Sequence, residues 1–355
     1  MRTPAAVLLC MVALSAAAFD FKGVPPEASL VFATESTAGL AIANSPGMQA
    51  LKARMQKSDA AELAGLDIEK AVKEATGLDL SSPEISFAGG MIGPIQRPEV
   101  DQAPEFVFII RGAHDQARLA SYCASKGVKS VQAGTVKGWD LPGLVNSFGP
   151  GSPEPADPGS PAIFSYDPRT LVMTNPANVA KVFAALKGTG RSFTPGPESA
   201  GASSQVGKGY FFMAANSSLM PPTPDDQSGF KGMHAAMGEK GDSQVMKFEV
   251  LFASPEKAAP FAMQAQGMVA MMPLMIAGDP TVPKTAADQA KAKLVGDLIA
   301  GIAPVEHKGD RVIFTASWST ERLLTMLNQL IDQAELEAKN GANPFGSPAS
   351  APKKK

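Results

Sequence analysis

Two sets of side chains in this sequence have residue types and spacings suited to chemistry. Ser254 and Lys257 stand in the order S-x-x-K, the pattern in which exported acylases use the lysine to deprotonate a serine nucleophile. The same stretch is typical of a helix start, because Ser254 can cap the helix, Pro255 fits its first turn and Glu256 faces the helix dipole. The S-D-N and K-T-G elements of the catalytic pattern do not occur in the sequence, so the helix start is favoured.

Methionine thioethers form the second set. The run 258–278 carries no charged residue. It contains five methionines, which are Met263, Met268, Met271, Met272 and Met275. The spacing M-x-x-M occurs twice, in Met268 with Met271 and in Met272 with Met275. Soft thioether sulfurs at such spacing can hold Cu(I) in an exported protein.

Two other interpretations of this methionine-rich run stay open. A membrane span is one, since its 21 residues are long enough, but two prolines, two glutamines and Gly267 interrupt it. A methionine-packed helix that pairs with residues 286–302 is favoured, because unbranched methionines fill irregular gaps in a core. Where such a helix is exposed, its side chains form an apolar groove for a ligand or partner.

The other chemistry-bearing residues are few and scattered. His114, His234 and His307 form no pair at helical or strand spacing, so the sequence indicates neither a zinc site nor a Ser-His hydrolase. Cys123 lies four residues after Leu119, on the predicted inner face of a helix, and we expect a buried thiol. We therefore expect no cofactor, no resident metal and a chain that is not an enzyme.

The first eighteen residues, MRTPAAVLLCMVALSAAA, predict export. Arg2 precedes an apolar run over residues 5–14, and the small residues 15–18 fit a signal peptidase cleft. We expect cleavage after Ala18 and a destination in the periplasm or outside the cell. Lipidation at Cys10 is disfavoured, because the residue before it is not small.

The composition limits which partners and which disulfide bonds can be expected. The chain has 355 residues with 32 basic and 34 acidic side chains, a balance that gives no sign of a nucleic-acid partner. Its length is enough to bury a sizeable core. Loss of Cys10 with the signal peptide leaves Cys123 alone, so we expect no intramolecular disulfide.

The elements that must position these residues follow from periodicity and turn chemistry. Alternating apolar and polar residues, bounded by turn residues, predict strands over 28–34, 85–92, 105–111, 162–165, 170–174 and 245–253, and a hairpin over 303–318. Helical spacing and capping residues predict helices over 113–126, from Asn175 to Leu186, from Ser254 onward and over about 320–339. Leu219 to Ser243 has few strand or helix signals and is predicted as a long insertion.

Both halves of the chain repeat the order strand, helix, hairpin, helix. This order predicts an α+β fold of two similar antiparallel-sheet units with helices packed on one face, of the ferredoxin-like split β-α-β type. We place the units at residues 19–187 and 208–339 and a linker at 188–207. The tail 340–355 is too polar to bury apolar surface, and we expect it to be disordered.

Four segments carry a resemblance to a known group of proteins. They are LVFATES, FVFIIRGAHDQARLASY, SYDPRTLVMTN and GDRVIFTASWSTERLLTML. These segments resemble those of exported bacterial proteins of unknown function that are built from repeated strand-helix-hairpin-helix units. The resemblance covers most of residues 28–338. It implies export and architecture, and it transfers no catalytic residue.

Together these observations predict an exported, non-catalytic binding or structural module of the cell envelope. Its expected partner is an envelope protein or an apolar ligand, and we expect no stable membrane span after signal cleavage. Two alternatives follow from the motifs. One is a serine hydrolase or acylase that uses Ser254 and Lys257, and the other is an envelope Cu(I)-binding protein that uses Met268 to Met275.

Overall fold

The computed structural model describes residues 19–35, 45–57, 68–80, 82, 84–93, 105–147, 160–195, 206–217, 229–277 and 286–339. The predicted signal peptide and the predicted tail, residues 340–355, lie outside these residues. The predicted linker 188–207 is described in part.

The described residues form twelve strands and eight α-helices. Those of the first half are β1 (Ala28–Thr34), α1 (Pro46–Lys57), α2 (Ile68–Thr76), β2 (Ser86–Ile92), β3 (Glu105–Arg111), α3 (Gln116–Ser125), β4 (Ser130–Ala133), β5 (Val136–Asp140), α4 (Leu141–Ser147), β6 (Ala162–Asp167), β7 (Thr170–Thr174) and α5 (Val179–Lys187). Those of the second half are β8 (Lys208–Asn216), β9 (Phe230–Lys240), β10 (Ser243–Phe252), α6 (Pro255–Ala277), α7 (Ala286–Ile299), β11 (Glu306–Lys308), β12 (Arg311–Ser319) and α8 (Thr320–Lys339).

All twelve strands belong to one sheet in the order β11-β12-β10-β9-β8-β1-β2-β3-β7-β6-β5-β4. The pairings are antiparallel, including that of β1 with β8, which joins the two halves. The predicted α+β class with an antiparallel sheet is therefore confirmed.

Consecutive residues of the strands face opposite sides of the sheet, and each side has its own core. Ile109 belongs to a cluster that includes Val182 and Leu186 of α5. Its neighbour Ile110 belongs to a cluster with Leu119 of α3. The helices therefore lie on both sides, and the expectation that they share one face is wrong for α5. The cause is the apolar side of β3 and β7 that faces α5 and needs a cover.

Helices α1, α6 and α8 cover the second half on the side that carries α3. Ala258, Ala262 and Ala265 of α6 are buried against a cluster that includes Val250 and Phe252 of β10. A further cluster joins α1 and α8 to Tyr210 and Met237. Among the described helices, none combines the length and the apolar character needed to cross a membrane.

Several stretches of regular structure differ from the sequence-based expectation, among them β8, for which no strand was predicted. The predicted insertion 219–243 contains β9, which pairs with β8 and with β10. The residues of β9, FKGMHAAMGEK, include no valine, isoleucine or threonine, so strand propensity gives no signal. The hairpin of β4 and β5 was likewise not predicted, although it extends the sheet at the edge of the first half.

Candidate functional site

Helix α6 begins with the S-x-x-K residues, and they stabilise its first turn. The carbonyl oxygen of Ser254 accepts hydrogen bonds from the backbone N–H groups of Lys257, at 3.2 Å, and Ala258, at 3.1 Å. The Ser254 hydroxyl donates a hydrogen bond to the exposed carboxylate of Glu256, and this bond lowers the pKa of that carboxyl. Lys257 is exposed, with its aliphatic stem beside Gly229. The hydroxyl that a hydrolase would use as its nucleophile is thus bonded to an acid at a helix start.

The side of α6 that packs on the sheet is made of small residues. Ala258, Ala262 and Ala265 are at most 2 % exposed, and Phe261 and Val269 are partly buried beside them. Their spacing places them on one side of the helix. Alanines in contact with the sheet let the helix lie close to it, so the methionines of α6 are not needed to fill that core.

The opposite side of α6 exposes large apolar side chains to solvent. The exposed fractions are 67 % for Met263, 51 % for Met268, 56 % for Met271 and 37 % for Met272. The expectation of a methionine-packed core is therefore wrong for these four residues. The side chain of Met275 lies outside the described part of the chain. We call the exposed residues Met263, Gly267, Met268, Ala270, Met271 and Met272 the methionine surface.

The methionine surface has a notch at its middle. Met263, Gly267 and Met271 follow one another at intervals of four residues, which places them along one side of an α-helix. A Cβ atom added at Gly267 would meet no atom within 4 Å. The backbone at Gly267 is therefore open between two methionine side chains. Leu298 of α7, a helix that contacts α6, adds another exposed apolar side chain at 36 %.

The chemistry of this surface is that of apolar contact and thioether sulfur, together with the amide groups of the exposed residues Gln264 and Gln266 that stand among the methionines. Residues 258–277 include no acid, base or histidine, so the surface has no group that could transfer a proton. Met268 and Met271, one of the predicted copper pairs, are both exposed on this surface. Within the described residues, no group of three His, Cys, Asp or Glu side chains could hold a metal ion.

A second feature is a cleft beside α3, and His114 in its wall forms a pair with Ser165 that sequence reasoning missed. The Nε2 atom of His114 lies 2.9 Å from the Ser165 hydroxyl, and its Nδ1 atom lies 3.4 Å from the Gly112 carbonyl oxygen. Burial lowers the pKa of His114 and so favours the neutral imidazole. When Nδ1–H donates to the Gly112 carbonyl oxygen, Nε2 is the ring atom that can accept a hydrogen bond from the Ser165 hydroxyl, which is also within reach of the Asp167 carbonyl oxygen. The two residues are 51 positions apart, and no local pattern links them.

The cleft beside this pair is open and mixed in character. Its volume is about 650 Å³, and its walls include Asp115, Lys137 and Trp139. Asp115 caps α3 by accepting the Arg118 backbone N–H at 3.0 Å, so its carboxylate already serves the fold. Trp139 is 6 % exposed and belongs to the core below. These residues mainly join the sheet to α3.

Cys123 is buried in the helix α3, as the sequence predicts. Burial raises the pKa of its thiol to about 11. A thiol in this state is protonated at neutral pH and is a poor nucleophile or metal ligand.

Comparisons with known proteins give distant structural neighbours. No protein-family model and no curated protein matches this sequence. The chain is similar to three solved structures of TP0453, each 12 % identical to it. For crystal form IV the TM-score is 0.41 over 87 % of this chain and 97 % of that one. For crystal form I the TM-score is 0.38, and the match covers 89 % of this chain and 100 % of that one. For crystal form III the TM-score is 0.41, and the match covers 88 % of this chain and 98 % of that one.

Proposed function

We propose that this chain is an exported, non-catalytic structural module of the cell envelope that pairs with a second copy of itself through the methionine surface. The exposure of Met263, Met268, Met271 and Met272 on one helix carries the proposal. Contiguous exposed apolar surface is unfavourable in water and commonly marks an interaction site. Methionine suits such a site, because its flexible thioether chain adapts to the partner.

The arrangement around Gly267 favours a second copy as the occupant. A two-fold axis makes the same patch face itself, so the patch must be complementary to its own rotated image. Met263 and Met271 stand four residues before and four residues after Gly267. When two α6 helices cross in antiparallel orientation at Gly267, Met263 of one copy faces Met271 of the other, and the two open backbones meet.

The absence of charge supports the same pairing. Residues 258–277 carry no charged side chain, so two copies of this surface meet without repulsion between like charges. A charged side chain of a partner would lose its hydration at this surface without gaining an ion pair. The apolar surface therefore favours an equally uncharged surface, and a second copy supplies one.

The experiment is sedimentation of the chain that begins at Phe19, over a range of micromolar concentrations. We expect a monomer and a dimer in reversible equilibrium, and we expect Met263→Lys to shift the chain to monomer. Val145→Lys is the matched control, since Val145 is an apolar helical residue that is 46 % exposed away from α6. A chain that stays monomeric at every concentration overturns the proposal, as does one that binds neutral lipid vesicles through these methionines without dimerising.

Export is proposed from the sequence of residues 1–18 and stands apart from the dimer. The test is fractionation of cells that produce the full chain, followed by N-terminal sequencing of the product. A product in the periplasm or medium that begins at Phe19 supports the proposal. An intracellular product that keeps Met1 or Arg2 contradicts it.

We also propose that the two halves of the chain are repeats of one ancestral unit. Supporting this, the sheet order β1-β2-β3-β7-β6 in the first half matches β8-β9-β10-β12-β11 in the second. In each half a helix follows the third strand, and that strand then pairs with the second strand of a hairpin. The halves differ at their ends, because β5 and β4 extend the first half alone.

A further inference from the structure

The exposed sulfur atoms of the described residues are gathered on one helix. Five methionines in this part of the chain have exposed side chains. One is Met246 of β10, and the other four are the methionines of the methionine surface. Met48 and Met326, by contrast, are at most 6 % exposed. A small oxidant in solution therefore meets most of its accessible thioethers on α6.

The thiol of the described residues does not compete for such an oxidant. Cys123 is buried in α3, and burial raises the pKa of its thiol to about 11. The thiolate is the reactive form of cysteine, so little of it is present at neutral pH. A thioether has no proton to lose, and exposure alone decides which methionines react.

We infer that the methionine surface is a modification site for peroxides, and that oxidation of its thioethers to sulfoxides controls the pairing of two copies. The inference rests on the proposed function, because it needs the dimer that forms through this surface. In the step, a sulfur lone pair attacks one oxygen of hydrogen peroxide, so that an S–O bond forms while the O–O bond breaks. The released hydroxide takes the proton of the transferred oxygen and leaves as water. Sulfur is oxidised by two electrons, and the peroxide is reduced by two.

The product changes the centre of the pair from apolar to polar. In the antiparallel crossing at Gly267, Met263 of one copy faces Met271 of the other, and the two-fold axis makes this contact occur twice. Methionine sulfoxide is a polar side chain. Its oxygen loses hydration when it is pressed against a thioether, and no charged side chain of residues 258–277 repays that loss. Oxidation therefore favours the separated chains.

The same equilibrium links the rate of oxidation to the concentration of the chain. A methionine inside the pair is shielded from solvent, and one in the separated chain is open to it. Concentrated chains thus protect their thioethers by pairing, whereas dilute chains are oxidised and stay apart. The change is reversible, because sulfoxide reductases, one for each epimer, restore the thioether. The surface then regains its apolar character.

The experiment treats the chain that begins at Phe19 with hydrogen peroxide, at a dose that leaves Met48 and Met326 reduced. Because these two side chains are buried, their reduced state shows that the fold is intact. Sedimentation gives the dissociation constant of the dimer before treatment, after treatment, and after both sulfoxide reductases have acted. Peptide mass spectrometry gives the extent of oxidation at each methionine, over a range of chain concentrations.

Two variants separate the methionine surface from the other thioethers. The first, the four-leucine chain, combines Met263→Leu, Met268→Leu, Met271→Leu and Met272→Leu. Leucine is apolar, has a similar volume and carries no sulfur, so this chain is compared with itself before and after peroxide. The second is Met246→Leu, the matched control, because Met246 is as exposed as Met272, at 37 %, but lies on β10.

We expect peroxide to raise the dissociation constant of the native dimer by about tenfold or more, and the reductases to lower it again. Met246→Leu should respond as the native chain does, and the four-leucine chain should not respond. Oxidation of Met263 and Met271 should slow as the chain concentration rises through the dissociation constant, and that of Met246 should not.

The failure of this inference differs from the failure of the proposed function. A dimer that keeps its dissociation constant with all four methionines oxidised overturns the inference and leaves the dimer standing. An equal response of the native and four-leucine chains also overturns it, because the effect then comes from other residues. A chain that is monomeric before any peroxide is added overturns both.

Discussion

The Nζ atom of Lys247 lies 2.6 Å from Oε1 of Glu249, and both side chains are less than 10 % exposed. The two residues are neighbours on one face of β10, because alternate residues of a strand share a face. Arg311 of β12 approaches the same carboxylate, with its Nη1 atom 3.6 Å from Oε2. Buried charges are costly unless they are paired, so removal of one member of this pair should destabilise the fold.

Loss of one partner of the pair is expected to destabilise the fold strongly. Glu249→Gln leaves the Lys247 ammonium buried without its carboxylate, which should lower the free energy of unfolding by about 3 kcal/mol. The double change Lys247→Met with Glu249→Gln should recover much of this loss, because no buried charge remains at the two positions. Urea denaturation measures both. Glu306→Gln, an exposed acid paired with Lys308, should change the free energy by less than about 1 kcal/mol. Equal losses in the single and double variants would contradict the account.

The pH dependence of stability should reveal the partly buried carboxyl group of Glu35. Burial raises the pKa of Glu35 from 4.5 to about 7, so the folded state holds this proton more tightly than the unfolded state. The resulting stabilisation is full below pH 4.5 and is lost as the pH rises through 7. The full shift corresponds to about 3 kcal/mol, and solvent screening of this partly exposed carboxyl group reduces the expected loss to about 2 kcal/mol. Urea denaturation between pH 4 and 8 should show this slope in the native chain and a flatter profile in Glu35→Gln. An identical slope in the chain with Glu35 and in the Glu35→Gln variant would contradict this prediction.

Cys123 should react with thiol reagents only after the protein unfolds. Its side chain is fully buried, and burial raises its pKa to about 11, so both access and thiolate content are low. Labelling with a disulfide reagent at pH 8 should proceed at the rate at which the protein opens and should speed up sharply in urea. Rapid stoichiometric labelling of the native protein would show that α3 does not protect this thiol.

The hydrogen bond between His114 and Ser165 should be worth about 1 kcal/mol. Ser165→Ala removes the hydroxyl from the partly buried imidazole of His114, and His114→Ala removes the ring. A double-mutant cycle on the free energy of unfolding isolates the shared term. We expect a coupling of about 1 kcal/mol at pH 8. A coupling indistinguishable from zero would mean that the contact does not contribute to the fold.

The sequence predicts those strands in which side-chain type and pattern agree. EFVFIIR in β3 combines aromatic and β-branched residues, and its predicted bounds match the structure. Likewise, the capping residues and amphipathic pattern after Thr320 predict the last helix with its observed bounds. Local chemistry determines these elements, so local patterns are enough to find them.

Strands at the centre of the second half escape prediction because their neighbours stabilise them. In β9, glycine, alanine and methionine make up six of the eleven residues, and these residue types favour no strand on their own. In β8 the strand-favouring residues Tyr210, Phe211 and Phe212 stand together, but glycine and alanine flank them.

Both strands are paired on two sides, β8 by β1 and β9, and β9 by β8 and β10. The pairing of β8 with β1, which joins Leu30 to Ala215, lies outside any window of sequence. By contrast, β9 and β10 are joined by a short turn at Gly241 and Asp242, which is a local signal.

The sequence predicts the methionine-rich helix but not which of its sides is exposed. The charge-free run and its five methionines are evident in the sequence, and so is a helix that starts at Ser254. Which side of that helix meets the sheet is not evident, because methionine and alanine alternate around it with little amphipathic contrast. The structure resolves this choice, since Ala258, Ala262 and Ala265 fit closely against β10 while the longer methionines remain outside.

The most direct test of self-association uses charge to read out the register of the two α6 helices. Met263→Lys and Met271→Glu should each reduce dimer formation at least tenfold, because each places an unpaired charge against an apolar side chain. In an antiparallel pair the two positions face each other across the axis, so the double variant should dimerise again through two Lys-Glu contacts. Sedimentation equilibrium of the four chains measures this. Recovery in the double variant is the predicted result, and a double variant that is as monomeric as either single variant would contradict the proposed pairing.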